Sequence, residues 1–184
     1  MRKLILSMMV SLDGYIEDAE NNIEWHKWNA EMDQYMGNFF QTVDTIIMGR
    51  KTYELMVKYW PGNTTEDPVI RDNMNNLPKL IFSKSLTTTS WNNCRLFSEI
   101  DKDEINELKN QPGKDMVIFG GAALASAFTK LGLIDEFRLL VNPIILGGGT
   151  PLFNNMDQKL ELFLMQSKSF QCGNVLLHYQ SGNQ

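Results

Sequence analysis

The sequence has few of the residues that form metal sites and disulfide frameworks. Its 184 residues include two cysteines and two histidines. Cys94 and Cys172 stand far apart, as do His26 and His178, so no metal-ligand spacing is present. Two isolated cysteines without a secretion signal favour free thiols in a reducing compartment. The sequence therefore predicts a cytoplasmic protein without a metal site.

Basic runs and long apolar segments are also missing. Lysine and arginine number 17 against 22 aspartates and glutamates, a formal net charge of −5, and no basic block is present. This pattern argues against nucleic acid as a partner. The apolar segment that begins at Leu4 is too short for a membrane span, which takes about 20 residues. We therefore expect a small-molecule partner, and the length suits a single domain over residues 1–184.

Short apolar segments alternate with segments of helical periodicity. Five of them are typical of buried strands, namely residues 4–10, 45–48, 80–82, 116–119 and 137–141. Such strands separated by helices predict an α/β fold with a mostly parallel sheet and helices on both faces. Residues 160–170 and 174–179 are also strand-like and meet near Gly173, which predicts a C-terminal antiparallel hairpin.

Capping residues indicate where helices begin. Asn29 precedes apolar residues at helical spacing, and Asp101 with Glu104 forms a pattern similar to a capping box. A third helical pattern covers residues 122–131. Residues 63–76 are polar and lie next to prolines, so we expect a surface loop there.

Three of the predicted strands run into turns that suit a phosphate group. The turns are Gly49, Arg50, Lys51 and Thr52; Ser83 and Lys84; and Gly120, Gly121 and Ala122. Glycine lets the backbone approach a phosphate closely, and a helix N-terminus adds unpaired N–H groups. Ligands of open α/β sheets bind at the carboxyl ends of the strands, where these turns are predicted to lie.

Each turn also has a simpler explanation when it is taken alone. Two glycines can form a tight strand-to-helix turn without a ligand, and Arg50 and Lys84 can be solvated surface charges. Three such turns after three buried strands favour a phosphorylated ligand. Arginine and lysine would also bind a phosphate on the ribose, so the sequence predicts NADP in preference to NAD.

Four segments together resemble a known family. They are SLDGYI at 11–16, GRKTYE at 49–54, FGGAAL at 119–124 and LGLIDEFRLLVNPIILGGGTPLF at 131–153. Over nearly its whole length the chain is similar to the C-terminal-domain family of riboflavin-biosynthesis protein D, which has the dihydrofolate-reductase-like fold. The resemblance implies a twisted sheet, a homodimer, and an NADPH-dependent reductase of a small heterocycle that is pterin- or pyrimidine-like.

The resemblance also implies roles for particular residues. The three turns match the cofactor turns of the family, with the two adjacent glycines at the pyrophosphate. Asp13 and Gly14 match a loop that lies over the nicotinamide and the substrate. The three consecutive glycines at 147–149 match a turn near the sheet, which we interpret as structural.

Asp33 is the main candidate for moving a proton. It follows Trp28 by five residues and precedes Gly49 by sixteen. Dihydrofolate reductases show the same spacings between a tryptophan, an acid on the first helix and the glycine of the cofactor turn. Asp33 falls at the border of the apolar helix face, where it can bind a heterocyclic ring. Trp25 or Trp28 can stack on such a ring, or can simply be a surface or core aromatic. Alternatively, Asp33 only stabilises the helix start, and Asp13 only forms an Asp-Gly turn.

The chain departs from folate reductases at one point. Those enzymes place an arginine before the strand that here begins at Leu80, whereas this chain has Leu77, Pro78 and Lys79. A lysine does not reproduce the bidentate hydrogen bonds of arginine to the glutamate tail. We therefore expect a substrate other than dihydrofolate. Because no acid is unmistakably catalytic, a non-catalytic NADP-binding module or sensor is the alternative.

Overall fold

The computed structural model describes residues 1–154 and 156–182. The helices in these ranges are α1 (Ala30–Phe40), α2 (Arg50–Tyr59), α3 (Pro68–Asn76), α4 (Lys102–Asn110) and α5 (Ala122–Lys130). The strands are β1 (Leu4–Val10), β2 (Tyr15–Glu17), β3 (Val43–Gly49), β4 (Lys79–Phe82), β5 (Cys94–Phe97), β6 (Asp115–Ile118), β7 (Glu136–Val141), β8 (Thr150–Pro151), β9 (Leu162–Ser169) and β10 (Val175–Ser181).

Eight of these strands form one sheet in the order β5-β4-β3-β6-β1-β7-β10-β9. Neighbours from β5 to β7 in this order are parallel. Strand β10 is antiparallel to both β7 and β9. The small strands β2 and β8 form a separate antiparallel pair. The predicted α/β fold, with its mostly parallel sheet and C-terminal antiparallel hairpin, is confirmed.

Helices cover both faces of the sheet, because side chains along each central strand alternate between two cores. On β1, Leu4 and Leu6 pack in the core that includes α4 and α5. Ile5 packs in the other core, against α1, α2 and α3. A strand buried on both faces is apolar at nearly every position, which explains the near-continuous apolar segments in the sequence.

The predicted helix starts at Asn29 and Asp101 are confirmed by their hydrogen bonds. The Asn29 side chain accepts the Met32 N–H at 3.1 Å. The Asp101 side chain accepts the N–H groups of Asp103 and Glu104. Each cap satisfies donors that have no partner within the first helical turn.

The prediction of a surface loop over residues 63–76 is wrong for its second half. Asp67 caps α3 by accepting two backbone N–H groups, and Pro68 occupies the first turn, where its missing N–H costs nothing. Ile70 and Met74 are buried against the core. Only these two side chains of the helix are buried, and Val69 is exposed, so its periodicity was hard to recognise in the sequence.

Two further observations concern the helices and the potential metal ligands of the described ranges. No helix within them is long and apolar enough to cross a membrane. In the same ranges, no three histidine, cysteine, aspartate or glutamate side chains are grouped to hold a metal ion. Cys94 and Cys172 are free and half-buried.

Candidate functional site

A cleft of about 640 Å³ opens at the carboxyl ends of β3, β4, β5 and β6. Its walls include nearly all residues of the three predicted turns: Gly49, Arg50, Lys51, Thr52, Ser83, Lys84, Gly121 and Ala122. A volume of several hundred cubic ångströms is ordinary for a small-molecule site. The structure therefore brings the three turns together at one cleft.

Gly120 is not among the residues that line the cleft, but it links two of the turns that do. Its carbonyl oxygen accepts the Gly49 N–H at 3.0 Å, which joins two of the turns. Its φ is +131°, and the Gly120–Gly121 peptide bond is cis. A Cβ at Gly120 would lie 2.9 Å from Thr52 Oγ1. Only glycine suits the position, because both the backbone conformation and the threonine exclude a Cβ.

Two helices point their N-termini at the cleft without side-chain caps. Helix α2 follows Gly49 and helix α5 follows Gly121, and neither glycine has a side chain to accept the first-turn N–H groups. Neither helix carries an acid in its first turn. Unpaired N–H groups and the positive end of a helix dipole attract anions, so both starts suit phosphate.

Exposed cations lie on two of the turns. Arg50, Lys51 and Lys84 are exposed and line the cleft. Arg50 Nη1 donates to both carboxylate oxygens of Glu54, at 2.9 and 3.0 Å. An exposed ion pair one helical turn apart contributes only about 0.3–0.5 kcal/mol. A phosphate can therefore displace Glu54 from Arg50 at small cost.

The cleft also contains residues that the sequence analysis missed. Ser98, Glu99 and Ile100 follow β5 and extend the cleft beyond Lys84. Strand β5 has only one buried residue, Phe97, so it lacked the continuous apolar pattern of the other parallel strands. Its position at the sheet edge explains this difference, because an edge strand is less covered.

Another wall of the cleft is formed by the β2–β8 strand pair. Ile16, Glu17 and Thr150 line this wall, and Thr150 Oγ1 donates to Glu17 Oε1 at 2.6 Å. Gly149 has a φ of +124°, and a Cβ there would overlap the Glu17 carbonyl oxygen. The glycine run before β8 is therefore structural at Gly149. Gly14, at the start of β2, has a φ of +87° and its carbonyl oxygen accepts the Leu152 N–H.

Asp13 is bonded within the loops beside this wall. Its carboxylate accepts Ser11 Oγ–H at 2.7 Å and the N–H groups of Leu146 and Gly147 at 3.1 and 2.8 Å. The hydrogen bond from Ser11, together with those from the backbone, lowers the pKa of Asp13 to about 2. The carboxylate is therefore ionised at neutral pH and has no proton to donate. This geometry favours a structural role for Asp13.

Asp33 and Trp28 lie together at the start of α1, away from the cleft lining. Trp28 Nε1 donates to Asp33 Oδ1 at 2.6 Å. Asp33 is half-buried, whereas Trp28 keeps 41% of its surface exposed. The pair offers a carboxylate next to an accessible indole ring, and its role in substrate binding stays a prediction.

The loop before α1 is held by buried asparagines. Asn142 Oδ1 accepts the Lys27 N–H at 2.8 Å, and Asn174 Nδ2 donates to the Lys27 carbonyl oxygen at 2.8 Å. Both asparagines are fully buried. They fix the backbone between His26 and Trp28 to the ends of β7 and of the C-terminal hairpin.

Comparison with known proteins agrees with this architecture. A model of the RibD C-terminal domain matches residues 2–176 of the chain. The chain belongs to the RibD C-terminal domain family. One relative is the uncharacterized protein YyaP of Bacillus subtilis (strain 168), with 39% identity over 186 residues. That match covers 97% of this chain and 94% of YyaP.

Solved structures show the same fold. A proposed riboflavin biosynthesis protein from Shewanella sp. PV-4 matches with a TM-score of 0.80 and 25% identity, and each chain is covered completely. Dihydrofolate reductase from Enterococcus faecalis, complexed with NADP(H), matches with a TM-score of 0.65 and 15% identity over 98% of this chain and 97% of that one. The family resemblance and the dihydrofolate-reductase-like fold are thus confirmed, and both point to a reductase.

Proposed function

We propose that this RibD-family protein is an NADPH-dependent reductase that transfers hydride to a small, pterin- or pyrimidine-like heterocycle. The observation that supports it is the convergence of three glycine- or cation-bearing turns and two uncapped helix N-termini at one cleft. Positive dipole ends and exposed cations together suit a ligand that carries several phosphates.

The residues present fit NADPH. Gly121 and Ala122 would hold the pyrophosphate at the start of α5, where no side chain competes for the first-turn N–H groups. Arg50, Ser83 and Lys84 would hold the ribose phosphate, because they combine exposed positive charge with a hydroxyl group. Lys51 and Thr52 complete the same turn. The NADP(H) complex of the E. faecalis dihydrofolate reductase supports this choice of cofactor.

The protein itself must position the substrate and supply a proton. When bound, NADPH supplies the hydride. We assign substrate contact to Gly14 and Trp28 and proton transfer to Asp33, whose Oδ1 is oriented by Trp28. Its second oxygen remains for a ring nitrogen of the substrate. Asp13 contributes by holding the adjacent loop through Leu146 and Gly147.

Fluorescence titration with NADPH and NADH tests the cofactor assignment. The wild-type protein should bind NADPH more tightly, and Arg50→Ala should weaken NADPH by about tenfold or more with little change for NADH. Lys58→Ala is the matched control, because Lys58 is an exposed cation on the same helix outside the cleft lining. Equal losses for both cofactors in Arg50→Ala would refute a ribose-phosphate role.

A non-catalytic NADP-binding module is the second candidate. It is favoured by the geometry of the acids, since Asp13 is held ionised and Asp33 lies outside the cleft lining. NADPH oxidation should be followed at 340 nm, roughly its absorbance maximum, with a panel of pterins, pyrimidines and flavins. If the wild-type protein oxidises NADPH with one of these compounds and Asp33→Asn does not, the reductase is supported. If the wild-type protein binds NADPH tightly but oxidises it with none of them, the non-catalytic module is supported.

A homodimer is also part of the proposal. Strand β9 is an edge strand on which Phe163, Leu164 and Met165 are 61%, 57% and 58% exposed. Consecutive large apolar side chains on an edge strand are typical of a surface that is covered by another chain. Sedimentation should give about twice the 21.1 kDa chain mass; a monomer at micromolar concentration would contradict this.

A further inference from the structure

Glu17 and Glu99 are acids in a cleft that otherwise suits phosphate; Glu17 is half-buried, whereas Glu99 is exposed. Glu17 lines the cleft from strand β2. A carboxylate close to phosphate groups repels them, at a cost that rises as water is excluded. Its presence therefore needs an explanation that the phosphate-binding turns do not provide.

The Glu17 carboxylate is held in place rather than free to turn away. Thr150 Oγ1 donates to its Oε1 at 2.6 Å. The backbone of Glu17 is paired with Thr150 across β2 and β8, and Gly149 lies directly against its carbonyl oxygen. In residues 1–154 and 156–182, Thr150 is the one side chain that bonds this carboxylate, so its second oxygen can accept hydrogen bonds from a ligand.

The strand order places Glu17 at a definite end of the cleft. The sheet runs β5-β4-β3-β6-β1 in this region. Lys84 follows β4, Arg50 follows β3, Gly121 follows β6, and Glu17 lies in the segment after β1. A dinucleotide with its ribose phosphate at the cations and its pyrophosphate at α5 would extend its other ribose towards Glu17.

We propose that Glu17 determines specificity for ligands that carry the nicotinamide-side ribose, because its carboxylate accepts hydrogen bonds from the hydroxyl groups of that ribose. Thr150 is the positioning residue that orients this carboxylate. In Rossmann-type NAD sites a carboxylate accepts a hydrogen bond from a ribose hydroxyl, so the chemistry suits Glu17. This assignment rests on the proposed function, because it assumes a phosphorylated dinucleotide in the cleft.

Two ligands and the variant Glu17→Gln test the assignment by fluorescence or calorimetric titration. NADPH contains the nicotinamide-side ribose, whereas adenosine 2′,5′-bisphosphate contains only the phosphorylated adenosine. We expect Glu17→Gln to weaken NADPH about tenfold, the loss of one charge-assisted hydrogen bond, and to leave the bisphosphate within about twofold. Removing a merely repulsive charge would instead tighten both ligands, so the direction of the change is itself decisive.

Glu99→Gln is the matched control, because Glu99 is an acid lining the same cleft at the β5 end. Glu99→Gln should not weaken the binding of NADPH relative to that of the bisphosphate. Thr150→Val should reproduce part of the Glu17→Gln effect. Unchanged or tighter NADPH binding by Glu17→Gln, or equal weakening of both ligands, overturns the role of Glu17. Neither result overturns the proposed function. Failure of the wild-type protein to bind NADPH overturns the proposed function, and this inference with it.

Discussion

His26 should make the stability of the protein depend on pH. It lies in the loop before α1, where its ring packs edge-on against Trp25 with centroids 4.4 Å apart. Its Nε2 is buried, and no partner for it is found in the described ranges. Burial lowers the pKa of His26 from 6.5 to about 4. The ring is therefore neutral in the folded protein at neutral pH, and protonating it opposes folding.

The size of the effect follows from the two pKa values of His26. Between pH 6.5 and about 4, the unfolded chain binds this proton and the folded protein does not. Stability therefore falls as the pH falls through this window, in contrast to a histidine whose pKa is raised by an acidic partner. From neutral pH down to about pH 4.5, the histidine alone should remove about 2 kcal/mol of unfolding free energy.

Urea unfolding of the wild-type protein and of His26→Gln, each at neutral pH and at about pH 4.5, measures the effect. The other titratable groups are the same in both proteins, so their contributions cancel when the two losses of stability are compared. The wild-type protein should lose about 2 kcal/mol more than the variant. Equal losses in both proteins, within about 0.5 kcal/mol, would refute the burial argument.

Three further predictions concern the cleft and its loops. Gly120→Ala should destabilise the protein by about 1–3 kcal/mol in urea unfolding, since φ is +131° and the new Cβ would lie 2.9 Å from Thr52 Oγ1; an unchanged midpoint would contradict this. Asp13→Asn should speed amide exchange at Gly147, because an amide group accepts fewer hydrogen bonds than a carboxylate; unaltered protection would exclude the anchoring role. Glu54→Gln should tighten NADPH about twofold by releasing Arg50, and weaker binding would show that Glu54 helps rather than competes.

The sequence was most informative where local chemistry decides the structure. The apolar segment at 4–10 became β1 with the same bounds, because a strand buried on both faces is apolar at nearly every position, with Ser7 the exception here. The cap at Asn29 was recognisable because it depends on its own side chain and the next few residues. The three turns were recognisable for the same reason, as glycines and cations directly follow apolar strands.

Elements with weak local signals were missed. Strand β5 is half-exposed, and strands β2 and β8 have only three and two residues. Helix α3 buries only Ile70 and Met74, and its one local signal was the Asp67 cap before Pro68. The conformation of the three short strands is set by what they pack against, so it could not be predicted from composition or periodicity.

The amino-acid sequence by itself determined the longer buried strands, most of the helices and the three turns, since each depends on residues close together in the chain. Only the tertiary structure decided which side chains meet. Asp13 bonds Gly147 across 134 positions, and Glu17 bonds Thr150 across 133. Such pairs form because the sheet order brings the segments after β1 and β7 side by side, and no local pattern of residues records that neighbourhood.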